Sequence, residues 1–165
     1  LACKNNYNFS EIVGIDHNKK HCEDALKLNL VDRLIEFNEI IECDVIVLSI
    51  PICAIICVLN DLANLPLKKD VTIVDFGSTK QEIIEKCPIK IRKNLVASHP
   101  MAGTEYSGPE AALPNLYENK VMVVCDIQNS GKQQVDLAID IYESINMNIR
   151  IMDSKEHDRH AAFIS

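Results

Sequence analysis

Short apolar runs, each closed by a polar or small residue and followed by an amphipathic helical pattern, recur along this chain and leave few architectures open. Ile12-Val13-Gly14-Ile15-Asp16 is such a run. Residues 17–28 follow with apolar positions at Cys22, Ala25, Leu26 and Leu28 among charges, the pattern of a helix that covers a sheet. Residues 34–37 predict a short second strand, and Asp44-Val45-Ile46-Val47-Leu48-Ser49-Ile50 a stronger third. Pro51 opens a helix over residues 52–62, where a missing N–H costs nothing. Further strands are expected at residues 71–75, 95–98, 120–125 and 149–152, with helices at 79–87 and 135–145. A last helix begins at Ser154, its expected cap, and residues 1–7 read like the inside of a helix ending in asparagines. Alternation of this kind predicts an α/β fold of Rossmann type, a mainly parallel sheet with helices on both faces.

With 165 residues and 47% hydrophobic composition, the chain can fill one sizeable core. A net charge of −7 argues against general attraction to nucleic acid or anionic membranes. No apolar run approaches the roughly 20 residues of a membrane span. Seven cysteines, an odd number without a C-x-x-C pair, point to a reducing compartment and hence the cytoplasm, with each thiol expected as a small buried hydrophobe.

In an open parallel sheet, ligands bind beyond the carboxyl ends of the strands. The residues that close strands here are Asp16, Ser49 with Pro51, Ser78 and His99. Asp16 suits the two hydroxyls of an adenosine ribose and equally suits a helix N-cap. His17, the next residue, is not the arginine that favours a 2′-phosphate, so NAD is preferred over NADP. The Gly-x-Gly-x-x-Gly turn belonging about twenty positions before such an acid is absent, and the first strand with it, as expected of a fragment. Ser78 follows Gly77 at a strand-to-helix turn, placed either to face an anionic or carbonyl group or to cap the helix.

His99 is the strongest candidate for chemistry. Leu95-Val96-Ala97 feeds directly into Ser98-His99-Pro100, and the proline biases His99 to extended backbone. Gly103 and Gly108 then permit close approach to a ligand. A serine-hydrolase arrangement of Ser78, His99 and Asp75 lacks the Gly-x-Ser-x-Gly elbow, because Thr79-Lys80 follow Ser78. His17 and His21 beside Cys22, and His157 with His160, have spacings that can bind zinc, but without an evident further ligand both pairs are expected on solvated helix faces.

The stretch Ser98-His99-Pro100-Met101-Ala102-Gly103-Thr104-Glu105-Tyr106-Ser107-Gly108 resembles the signature of the prephenate dehydrogenase family, which includes arogenate dehydrogenases. Val13-Gly14-Ile15-Asp16, Asp75-Phe76-Gly77-Ser78-Thr79-Lys80 and Glu156-His157-Asp158-Arg159 agree in order and spacing. The resemblance implies oxidative decarboxylation of prephenate to 4-hydroxyphenylpyruvate with hydride transfer to NAD, in tyrosine biosynthesis. It implies that His99 takes the proton of the ring hydroxyl and that Ser78 orients that hydroxyl and the nicotinamide side. Asp16 would hold the ribose, and Ser49 and Pro51 would line the cofactor path. Glu105 and Asp158 match acidic positions thought to gate the site, or are ordinary solvated carboxylates. By the same resemblance, residues 1–153 form an NAD-binding domain truncated at its start. Residues 154–165 begin the helix that leads into a missing helical domain through which the enzyme forms a homodimer. Arogenate is the alternative substrate, and a non-catalytic nucleotide-sensing module the alternative function.

Overall fold

The computed structural model describes residues 1–103 and 108–164. Ala2–Asn6 (α1) precedes two short parallel strands, Val13–Gly14 (β1) and Arg33–Leu34 (β2), which are connected through Lys19–Lys27 (α2). The second sheet contains Val45–Leu48 (β3), Thr72–Asp75 (β4), Leu95–Pro100 (β5), Val121–Cys125 (β6) and Asn148–Met152 (β7), side by side in chain order. Helices Ile52–Ala63 (α3), Gln81–Lys86 (α4) and Lys132–Ser144 (α5) connect strands, and Ser154–Ile164 (α6) follows the last one. The α/β, mainly parallel architecture of Rossmann type is therefore present.

One pairing departs from a wholly parallel sheet. β3–β4, β4–β5 and β6–β7 are parallel, but β5 and β6 run antiparallel, with His99 opposite Val123. A parallel return needs a crossover of a dozen or more residues, usually helical. The described part of the connection between β5 and β6 has only a single 3-10 turn, Pro109–Ala111.

Because side chains alternate along a strand, the register divides the sheet into two faces. Ile46, Leu48, Ile73, Leu95, Ala97, Val123 and Cys125 look towards α3, α4 and α6, and His99 lies on this face in register with Val123. Val74, Val96, Met122 and Val124 face α1 and α5, where Ala138, Ile141 and Tyr142 complete the core. Ser98 belongs to that opposite face. Its buried hydroxyl donates to the Val96 carbonyl oxygen at 3.2 Å and meets the Tyr142 hydroxyl at 2.8 Å.

Between β1 and β3 runs an apolar groove of about 380 Å³, walled by Val13, Val45, Val47, Phe76 and Tyr142 with Arg33 at its rim. Among the described residues β1 pairs only with β2 and β3 only with β4.

Several boundaries differ from the sequence expectation. The second strand is Arg33–Leu34, and residues 37–42 form a 3-10 helix closed by Glu36 and Glu39 in a capping box. Helix α4 starts at Gln81 rather than residue 79. Asp153, not Ser154, caps α6, accepting from the backbone of Lys155 and Glu156, while the Ser154 hydroxyl donates to Asp126. All seven cysteines are free, but Cys53 and Cys57 are exposed, because their turn of α3 looks away from the sheet.

Replacing Tyr142 by Phe removes the hydroxyl that meets Ser98 and leaves the ring packing intact. Urea denaturation is expected to show a loss of about 1 kcal/mol, the usual net value of such a hydrogen bond.

Candidate active site

His99 stands in the last turn of pleat of β5 and reaches into a cleft of about 220 Å³ that it shares with Ser78, Thr79, Met101, Asp158 and the α6 alanines Ala161 and Ala162. Ser78 arrives from the turn after β4 and is exposed. Glycine at position 77 lets that turn lie close on the core, because a Cβ there would sit 2.6 Å from Ile83 Cδ1 and 3.1 Å from Ile55 Cδ1 and would push those buried side chains aside. Ser78 does not cap α4, since Lys80 is the N-cap and makes no side-chain cap bond.

Asp158 supplies that cap from the far end of the chain. Its carboxylate accepts from Lys80 N at 2.7 Å and Gln81 N at 2.9 Å, satisfying two donors that a helix start leaves unpaired. The same carboxylate meets His157 Nδ1 at 2.7 Å, and His157 Nε2 lies 2.9 Å from His99 Nδ1. The two rings are nearly perpendicular, at 77°, with centroids 5.1 Å apart. Burial raises the Asp158 carboxyl, but the bonds from Lys80, His157 and Gln81 outweigh it and hold the group below its usual range.

His157 corrects the sequence expectation. Far from lying on a solvated face, it is 3% exposed, packed between α6 and the end of β5. His160 is exposed, and among the described residues no group of His, Cys, Asp and Glu is placed to hold a metal.

Beneath the cleft sits a buried ion pair. Lys80 is 0% exposed; its ammonium contacts Asp75 and donates to the Ser98 carbonyl oxygen at 2.7 Å. Burial pushes the Asp75 carboxyl up and the Lys80 ammonium down, while each partner draws the other back towards its charged form. Since Ser98 immediately precedes His99, this pair fixes the strand end that carries the imidazole. His99 itself is pushed down to about 4, first by burial, then by His157 and Lys80, with Asp158 acting in the opposite sense. A neutral imidazole at neutral pH is a competent proton acceptor.

The other candidates lie elsewhere on the sheet edge. Asp16 is exposed beyond β1, and Ser49 and Pro51 are exposed beyond β3, where Pro51 is the N-cap of α3. None of these three lines the His99 cleft. Asp16 does not cap α2: Asn18 does, accepting from Lys20 N and His21 N. Asp16 accepts from Asn18 N at 2.8 Å and has His21 Nδ1 at 3.2 Å. The Asn18 bond leads the causes that lower its carboxyl, despite some burial, and His21 adds to it. An ionised, exposed carboxylate is the acceptor-only group that two ribose hydroxyls require, so this edge fits a nucleotide. Glu105 lies outside the described residues.

Removing the Lys80 charge leaves Asp75 buried without a cation. Lys80→Met is expected to cost about 3–5 kcal/mol in chemical denaturation, and adding Asp75→Asn to recover part of it. A second expectation concerns acid. Because His99 binds its proton less readily folded than unfolded, its contribution makes stability fall as pH drops from about 6.5 towards about 4. His99→Gln should flatten the pH dependence of the melting temperature in that window; an unchanged slope would contradict the assigned environment.

The comparisons with known proteins bear on the family and the fold. Residues 1–151 match the family model described as prephenate dehydrogenase, nucleotide-binding domain. Prephenate dehydrogenase of Bacillus subtilis (strain 168) is 30% identical over 169 aligned residues, covering 100% of this chain and 46% of that protein. Cyclohexadienyl dehydrogenase of Zymomonas mobilis is 31% identical, covering 86% and 49% respectively. The chain thus spans about half the length of the curated relatives it matches. A crystal structure of prephenate dehydrogenase from A. aeolicus, in complex with hydroxyphenyl propionate and NAD+, superposes with a TM-score of 0.88 at 26% identity, covering 95% of this chain and 56% of that one. A match along residues 1–151, joined to this fold and this histidine cleft, places the chain in the prephenate dehydrogenase family, in the region of its nucleotide-binding domain.

Proposed function

We propose that this chain is the NAD-binding part of a prephenate dehydrogenase, which oxidatively decarboxylates prephenate to 4-hydroxyphenylpyruvate in tyrosine biosynthesis. The observation that carries the reading is His99, held neutral at a strand end and sharing one cleft with Ser78. NAD, when bound, accepts the hydride. Asp16 would hold its adenosine ribose, with Ser49 and Pro51 along its path. Relatives named for prephenate, and a relative's structure holding NAD+, support this assignment of substrate class and cofactor.

In this reading His99 accepts the proton of the substrate's ring hydroxyl as the hydride leaves the same carbon. Loss of carbon dioxide returns its bonding electrons to the ring, which becomes aromatic, and the oxygen recovers the proton as a phenol. Ser78, across the cleft, donates to or accepts from the same hydroxyl and fixes its direction. Glu105 and Asp158 are assigned to the mouth of the site, and Asp158 does so while also capping α4. Residues 1–153 act as the nucleotide-binding domain. Residues 154–165 begin the helix that leads into a helical domain, through which the enzyme forms a homodimer in the cytoplasm. Arogenate is the second substrate to consider, as one relative is named for a cyclohexadienyl rather than a prephenate substrate.

The test is turnover of the full-length protein with prephenate or arogenate and NAD or NADP, followed by formation of reduced cofactor. Activity is expected with NAD; silence with every combination would overturn the reading. His99→Asn should then lower kcat by about two to four orders of magnitude, the usual contribution of a positioned general base, with cofactor affinity retained.

A further inference from the structure

Three side chains in series end at the candidate base; His99 takes the proton in the reaction proposed above and Asp158 is assigned to the mouth of its site, but His157 between them has no role there. Asp158 Oδ1, His157 Nδ1, His157 Nε2 and His99 Nδ1 are linked by contacts of 2.7 and 2.9 Å. We propose that His157, oriented by Asp158, is a positioning residue that fixes His99 in the tautomer with its proton on Nδ1, leaving the lone pair of Nε2 for the substrate hydroxyl. The inference rests on the reading of His99 as the base.

The direction of the series follows from what each atom can do. Asp158 already takes two backbone N–H groups at the start of α4, as expected of an ionised carboxylate, which has no proton to give. His157 Nδ1 must therefore donate to it. With a single ring proton spent there, His157 Nε2 is a bare acceptor, and the group facing it, His99 Nδ1, must carry a hydrogen. His99 has then no proton left for Nε2. Without His157, a free imidazole exchanges between both tautomers and rotates, and only part of the population presents a base to the cleft. Outer groups that hold a ring through its second nitrogen act in this way at many sites.

His157 is also built in rather than incidental. It is 3% exposed, and its neighbours on α6, Asp158 and Ala161, line the cleft. The His157 ring stands between the positive charge that His99 acquires while holding the substrate proton and the Asp158 carboxylate. The developing cation thus has an anion two groups away, with no proton passing beyond His99.

The test uses full-length protein with isotope-labelled histidine, reading ring-nitrogen chemical shifts near neutral pH, with His99 assigned from the His99→Asn variant. The expected spectrum has His99 protonated on Nδ1 and bare on Nε2. In His157→Leu the two His99 nitrogens should average towards a mixture, and kcat should drop roughly ten- to hundred-fold with little change in the KM for cofactor. His157→Gln, whose amide oxygen can accept from His99 Nδ1, should recover most of both properties. A wild-type His99 protonated on Nε2 would overturn the proposal, and so would equal loss of kcat in the Leu and Gln variants with the His99 tautomer unchanged. The spectrum needs no substrate. A correct tautomer in a protein that turns over neither ring acid would therefore reject the proposed reaction while leaving the positioning of His99 by His157 standing.

Discussion

The carboxylate of Asp158 is the point on which the site is hung. It accepts from two backbone N–H groups of α4 and from the ring of His157, so it joins the start of one helix to the first turns of another that is distant in sequence. Helix α4 has no side-chain cap of its own at Lys80, which means that its start is completed only when α6 docks. Once α6 is there, His157 meets His99 and the two alanines of the next turn leave room for the cleft. Residue 80 completes the arrangement by serving in two capacities: its N–H binds Asp158, and its ammonium ties β4 to the carbonyl that precedes His99.

Much of this was legible in the sequence, and the parts that were not share a physical cause. Apolar runs located the strands to within a few residues, and the Ala97-Ser98-His99-Pro100 sequence placed the imidazole at a strand end. Helix α6, in contrast, has an inward face made of Ser154, His157, Asp158 and Ala161. Those positions have perfect helical spacing, yet they are polar or small, so a search for apolar periodicity reads them as solvent-facing. Their burial depends on partners from α4 and β5 that no local window contains. What marked this face in the sequence was the Glu156-His157-Asp158-Arg159 stretch that agrees with the family in order and spacing, one helical turn before Ala161 and Ala162.

The caps fall on other residues for a related reason. Ser78, Asp16 and Ser154 each stand near a helix start and have the right chemistry, but α2 and α4 begin beyond the expected residue, α6 begins at Ser154 itself, and other groups accept the first N–H groups. A cap depends on where the backbone turns, to within one residue, whereas composition locates it only to within a few. Asp16 and Ser78 are left with side chains exposed beyond the carboxyl ends of their strands, which is the more informative outcome.

The inversion between β5 and β6 has a consequence for where recognition can be built. A crossover to a parallel neighbour would have carried the chain to the far rim of the sheet. By doubling back, β6 re-enters beside Pro100, so the connection begins and ends at the rim that holds His99. Its described portion reaches across to α2, where Gly108, at φ 81°, backs onto the His21 ring that contacts Asp16. The described ends of the connection therefore stand at two places: Met101 lines the imidazole cleft, and Gly108 backs onto the ring that contacts Asp16 beyond β1. Both places are thus approached from one rim, by chain that leaves β5 and returns to β6 without crossing the sheet.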